Sequence, residues 1–246
     1  MKTDFLQILL RFMNADPSLL DQRGVSVIGH PERAENHVSS GYLIGEHLVV
    51  TCDPAAEELL REATTGMEPS LAAWRQVATN AAGELLGAGR MQLLTGPLPA
   101  VDELPRGFTT KRLDTSNADA IALIGRLVER SSEDDLAEAE IELDNLDDIV
   151  DVILDSSGEI ATYASSCPFD MAPQFGDIGI LTRPEFQGQG LGSIAVAAMC
   201  ARLRSEGSEP LYRCDEDNVG SVKLSQGLGF EVATQLVAFR FPLNAL

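Results

Sequence analysis

Residues 183–193, RPEFQGQGLGS, place Gly188, Gly190 and Gly192 on alternate positions between an apolar run that ends at Thr182 and an alanine-rich run that follows. Glycine costs conformational entropy, so three of them together mark a place where the backbone turns tightly or approaches something closely. A strand that ends in glycines and opens a helix is an anion site: the first-turn N–H groups lack intrahelical partners and the helix dipole is positive there. Without a Cβ in the way, those N–H groups can reach a phosphate. Two nucleotide readings weaken at once. A dinucleotide fingerprint needs G-x-G-x-x-G early in a βαβ unit, whereas this spacing is G-x-G-x-G and lies late in the chain. A Walker loop needs Lys and Ser or Thr after the last glycine, where this chain has Ser193 and Ile194.

A second segment sharpens the first. Gln187-Gly188-Gln189-Gly190-Leu191-Gly192 resembles the Q/R-x-x-G-x-G/A motif of the GNAT acyltransferase superfamily. About 25 residues on, Asn218, Ser221, Leu224 and Gly229-Phe230 are similar to that superfamily's N-x-x-A/S-x-x-L-x-x-x-x-G-F segment. The likeness covers roughly the last 140 residues. It implies an α/β (α+β) fold with a mixed, bent sheet flanked by helices, and an acetyl-CoA donor that leaves as coenzyme A. The pyrophosphate would lie on the amides of Gln187, Gly188, Gln189, Gly190, Leu191, Gly192 and Ser193. The pantetheine arm would pair with the strand end at Leu181 and Thr182, as an added strand, and Asn218 would steady the donor.

Acyl transfer to an amine needs a deprotonated nitrogen, stabilisation of the oxyanion and a proton for the departing thiolate. Asp177, ten residues before Gln187, stands where the superfamily often carries a glutamate base; being shorter, it favours a base acting through water. A backbone N–H near Leu181 would meet the oxyanion. Where related chains carry a tyrosine acid this one has Ser225 after Leu224, so Ser225 relays a proton through water or does nothing chemical, Tyr163 or Tyr212 substitutes, or the thiolate leaves with solvent's help. A nucleophilic cysteine among Cys167, Cys200 and Cys214 is the lesser reading, since free cysteines are commonly small buried hydrophobes. Cys200 is placed outside the apolar stripe of its helix. No pair among His30, His37 and His47 has metal-ligand spacing, so no metal is indicated.

The elements that must position these residues follow from periodicity. Phe5, Ile8, Leu9, Phe12 and Met13 give one face of an opening helix. Strands are expected at 26–30 and 42–52, the second a hairpin turning near Gly45, then helices at 55–64 and 70–87. Residues 95–107, TGPLPAVDELPRG, read as a linker. Beyond it the expectation is a strand at 107–114, a helix at 117–130 capped by Thr115 or Ser116 with Ile121, Ile124, Leu127 and Val128 on its buried face, and strands at 148–155, 160–166 and 177–182. A helix then opens at the glycine loop with Leu191, Ile194, Ala195, Ala198 and Met199 on one face. A strand at 209–215, a helix at 219–228 stopped by Gly229, and a strand at 230–241 complete the chain. This suggests two domains, a smaller α/β N-terminal domain (1–98) of unassigned role, as a degenerate lobe or a substrate cap, and a GNAT-like domain (107–246).

Composition bounds the partners. The chain has 246 residues and a net charge of −20, which repels nucleic acid and anionic membranes. Residues 131–182 carry 14 acidic groups and no Lys or Arg, whereas residues 183–246 carry 6 basic and 7 acidic groups. The uncompensated carboxylates fit attraction of a cationic amine as well as they fit a solvated acidic surface. Scattered cysteines, a start interrupted by Asp4 and Arg11, and the lack of a membrane-length apolar run point to a cytoplasmic setting. The leading reading is an N-acetyltransferase acting on the primary amine of a small cationic molecule, with no nucleic acid or membrane partner and a homodimer admitted. The alternatives are a non-catalytic acyl-CoA-binding module and a protein-interaction protein on the same scaffold.

Overall fold

A computed structural model describes residues 1–147 and 149–241. In chain order the elements are α1 (Lys2–Phe12), β1 (Gly24–Gly29), β2 (Val38–Ile44), β3 (His47–Cys52), α2 (Glu57–Ala63), α3 (Leu71–Asn80) and β4 (Glu84–Leu93). There follow β5 (Thr109–Leu113), α4 (Ala118–Val128), α5 (Glu133–Glu138), β6 (Ile149–Leu154), β7 (Ile160–Phe169) and β8 (Ala172–Thr182). The last are α6 (Leu191–Ser205), β9 (Glu209–Asp215), α7 (Val219–Gly227) and β10 (Glu231–Arg240). The expected strand at 148–155 begins one residue later, Asp148 lying outside the described residues, as do positions 242–246 of the expected second domain.

The chain folds as two compact units whose boundary differs from the expected one. The first holds Met1–Gln92, Cys214–Asn218 and the stretch from Val232 onward, and the second holds Leu93–Arg213 with Val219–Glu231. A self-contained domain at 1–98 is therefore corrected: β10, from the far end of the sequence, pairs antiparallel with β2 from Gln235↔Leu43 to Arg240↔Val38. Without that strand the N-terminal segment would leave a long pairing edge open and lose Val237 and Phe239 from its core. In this unit the strands run β1-β3-β2-β10-β4. Its core centres on Trp74, fully buried, whose Nε1 donates to the Val237 carbonyl at 3.1 Å and whose ring meets Phe239 edge-on at 6.0 Å. Gly41 is required there, since a Cβ would lie 2.7 Å from the indole.

The helix expected to reach residue 87 stops at Asn80. Ala82 takes a left-handed φ of 56° and the Gly83 amide donates to the Ala78 carbonyl, a helix-ending pattern that turns the following residues into β4, where Leu85 is half exposed.

The second unit carries strands in the order β9-β8-β7-β6-β5, the last four antiparallel and β8–β9 parallel. Here α4 is capped by Asn117, whose Oδ1 accepts from the Asp119 amide at 2.8 Å, and not by Thr115 or Ser116. Its buried face is Ala120, Leu123, Ile124 and Leu127, with Ile121 exposed. These pack with Ile141, Val150, Val152, Tyr163 and Leu181 on one side of the sheet. Leu203 of α6 covers the other side, against Gly176, where a Cβ would meet its methyl at 2.5 Å. In α6 the buried residues are Leu191, Ala195, Val196, Ala197, Met199, Cys200 and Leu203, so Ala198 is exposed and Cys200 lies inside the stripe, not outside it. Among the described residues no helix is long and apolar enough to cross a membrane.

Candidate functional site

The parallel pair β8–β9 holds for three residue pairs, Phe175↔Glu209, Gly176↔Pro210 and Asp177↔Leu211, and then ends. Strand β8 runs on to Thr182, paired with β7 alone from Ile178↔Ser166 to Thr182↔Thr162. Along residues 178–182 one flank of β8 is thus left without a strand partner, and an extended ligand can add itself there through the main chain.

Directly past this opened flank comes the glycine loop. Gly188 (φ 75°) and Gly190 (φ 78°) are left-handed, a conformation that costs a residue with a Cβ roughly 1–2 kcal/mol. Gly190 is the N-cap of α6 and brings no capping side chain. No acceptor among the described residues meets the amides of Gly188 through Ser193. A Cβ built at Gly188 or Gly190 would meet nothing within 4 Å, so no described residue fills the space in front of these glycines. Gly192 differs: a Cβ there would lie 3.0 Å from Leu224 Cδ1, so it lets α6 approach α7. The loop is held from behind, as Gln187 Nε2 donates to the Thr182 carbonyl at 3.2 Å and Gln189 Nε2 to the Glu185 carbonyl at 3.3 Å. Arg183, which follows β8, is buried and faces Asp155 Oδ2 at 2.6 Å, with its guanidinium 4.7 Å from the Phe186 ring. The cradle consists of main-chain dipoles with small residues around them, the chemistry that a pyrophosphate fits.

Asp177 does not stand at the start of its strand as expected, because β8 begins at Ala172 and Asp177 is the last residue paired with β9 before the flank opens. Its carboxylate is 6% exposed and accepts from Arg213 Nε at 2.5 Å, while Arg213 Nη2 donates to Glu140 Oε1 at 2.7 Å. Burial pushes the Asp177 carboxyl up to about 6; Arg213 opposes the rise, and the negative charges of Glu140 and Asp147 add to it. A carboxyl in that range suits a base at neutral pH.

Ser225 is fully buried in α7 and its hydroxyl donates to the Val222 carbonyl at 3.1 Å, a within-helix bond. Tyr163 is buried among the apolar residues of α4 and β6, and burial pushes its hydroxyl up to about 12. Tyr212, equally buried, packs on Phe230 with ring centroids 5.5 Å apart. Burial also pushes the Cys167 and Cys200 thiols up to about 12, the direction of inert cysteines. Asn218 follows β9, its amide donating to the Asp215 carbonyl at 3.3 Å. Sequence reasoning missed Arg213 and Glu140. The available signal was an arginine inside a short strand, two residues from Leu211 and so on the same face.

Residues 167–238 match the family model described as FR47-like protein. No curated protein matches the chain in sequence. Among solved structures, an acetyltransferase from the GNAT family of Colwellia psychrerythraea is similar with a TM-score of 0.53 at 11% identity, over 78% of this chain and 76% of that one. A GCN5-related N-acetyltransferase from Sphaerobacter thermophilus gives 0.52 at 17% identity, over 70% of this chain and 56% of that one. A tandem GNAT protein from the clavulanic acid biosynthesis pathway gives 0.51 at 18% identity, over 67% and 57%. This chain spans somewhat more than half the length of the last two. At these identities the likeness is one of fold, and the chain has the GNAT fold. The FR47-like region within it runs from near the end of β7 into β10 and contains both the opened strand flank and the glycine loop.

Proposed function

We propose that the protein is an N-acetyltransferase that moves the acetyl group of acetyl-CoA to the primary amine of a small cationic molecule and releases coenzyme A. The observation that carries this reading is the continuity of the opened flank of β8 with the unsatisfied amides of Gly188–Ser193. One ligand with an extended amide-bearing arm and a pyrophosphate would satisfy both. When bound it supplies the activated thioester. The N–H near Leu181 would face the thioester oxygen, and Asp177, nearly buried, would draw the amine proton through a water. The proton for the departing thiolate would come from solvent, since the Ser225 hydroxyl is bonded to backbone and Tyr163 and Tyr212 are buried. The carboxylates of residues 133–147 favour a cationic acceptor over an anionic one.

A non-catalytic acyl-CoA-binding module is the second reading, favoured by the engagement of Asp177 with Arg213 and of Ser225 with Val222. Calorimetric titration with acetyl-CoA, followed by thiol release across polyamines, aminoglycoside-like amines and amino acids, separates the two. Saturable binding with thiol release on a cationic amine supports transfer. Binding without release on any amine supports the module, and absence of binding to acetyl-CoA and longer acyl-CoAs contradicts both.

A further inference from the structure

We propose, resting on the acetyltransferase reading, that Arg213 is a positioning residue: it keeps the Asp177 carboxylate ionised and aimed at the point where β8 and β9 part. Asp177 and Leu211 are the final pair of that ladder, and Arg213, two residues beyond Leu211, emerges on the same face of β9. Its guanidinium therefore returns across the opening to reach Asp177 Oδ2 at 2.5 Å.

The guanidinium is held from the other sides as well. Its Nη2 donates to Glu140 Oε1 at 2.7 Å, and its central carbon lies 5.5 Å from the Phe169 ring centroid. Glu140 adopts φ 53°, unusual for a residue with a side chain. The preceding Ala139 carbonyl packs on Gly179, where a Cβ would lie only 2.6 Å from that oxygen. The segment after α5 is thereby seated against β8, with the Glu140 carboxylate on the far arm of Arg213. A planar donor fork suits this double engagement in a way that an ammonium does not.

Arg213 bonds Oδ2, and Oδ1 accepts no bond from a described residue, which leaves it for the water that takes the amine proton. The charged and titratable groups around Asp177 are Arg213 from β9, Glu140 and Asp147 from the segment between α5 and β6, and Cys167 directly opposite on β7. Arg213 is the single cation among them, so its loss leaves a buried carboxyl facing two carboxylates, and the proton then binds more tightly. The acid limb of the rate profile must move to higher pH.

The test is a carboxyl-carbon NMR titration of Asp177 together with the pH profile of acetyl transfer, in wild type, Arg213→Met, Arg213→Lys and Glu140→Gln. The expected result is an Asp177 midpoint about two pH units higher in Arg213→Met, a fall of about tenfold in rate at pH 7, and recovery of that rate toward pH 9. Arg213→Lys restores most of the midpoint, and Glu140→Gln moves it the opposite way, to lower pH. If Arg213→Met does not fold, Arg213→Lys and Glu140→Gln decide through the sign of their midpoints. An Asp177 midpoint that stays fixed across the variants, or rates that fall equally at every pH, overturns the proposal. The titration needs no turnover. A midpoint that moves while wild type transfers to no amine supports the hold of Arg213 on Asp177 and overturns the acetyltransferase reading instead.

Discussion

Each unit contains a pair of parallel strands, β1–β3 and β8–β9, and the two pairs end differently. In the first unit β1 and β3 stay in register through six pairs, from Gly24↔His47 to Gly29↔Cys52. In the second, β8 and β9 hold for three and then part. The space beyond the strands differs in the same sense. A Cβ added at Gly29 would lie 2.6 Å from Glu57 Oε2 and 2.8 Å from Pro54 Cα, so the chain itself fills that end. Beyond β8, Gly188 and Gly190 face open space. A parallel junction becomes a binding site when its ladder is cut short and the next turn is built of residues without side chains. A junction zipped to its end and plugged by a proline turn is only a core.

The largest effect that would break this contrast is filling the open end. Gly190→Glu forces a side chain onto left-handed backbone and places a carboxylate in the cradle, so acetyl-CoA affinity is expected to fall by roughly a hundredfold or more in calorimetry. Next comes the group at the parting point. Asp177→Asn is expected to lower kcat by about 10²–10⁴ with little change in acetyl-CoA affinity, as loss of a general base does. The same group sets the pH dependence: with its carboxyl pushed up to about 6, the basic form disappears as pH falls through 6, and the wild-type rate should fall with it and level off above. Activity that stays flat from pH 5 to 8 would remove Asp177 from the base role.

Crowding the plugged end tests the other half of the contrast. Gly29→Ala should cost about 1–3 kcal/mol of stability in denaturant unfolding, because the methyl meets Pro54 and Glu57, while acetyl-CoA affinity of the folded protein stays unchanged. The smallest effect is at long range. Neutralising Asp144 and Asp147 together should slow acceptor encounter by about threefold at low salt, an effect that disappears as added salt shortens the screening length.

The glycine loop was legible in the sequence because its constraint is local: left-handed backbone and a bare helix N-terminus leave glycines at fixed offsets. The strand segments from β5 to β9 were legible as separate elements for a similar reason, since alternation and the turn residues that bound each strand are local in the sequence. The position of Asp177 was not. The strand was expected only at 177–182, and no element was assigned to Cys167–Gly176, which contains Pro168, Pro173 and Gly176. The structure instead extends β7 and β8 into a long hairpin that absorbs Pro168 at a register shift. The membership of β10 in the first unit was hidden as well, since pairing across nearly two hundred residues leaves no periodic trace in either partner. Arg213 and Glu140 escaped for the same reason: their role exists only where a strand, a loop and Asp177 converge.

The most direct test of the central claim is an amide NMR titration of the protein with acetyl-CoA, compared at the two parallel junctions. The account requires the resonances of Gly188–Ser193 and of residues 178–182 to move together with saturation, while those of 24–29 and 47–52 stay in place. Shifts confined to other segments, or no saturable change at the glycine loop, would contradict it.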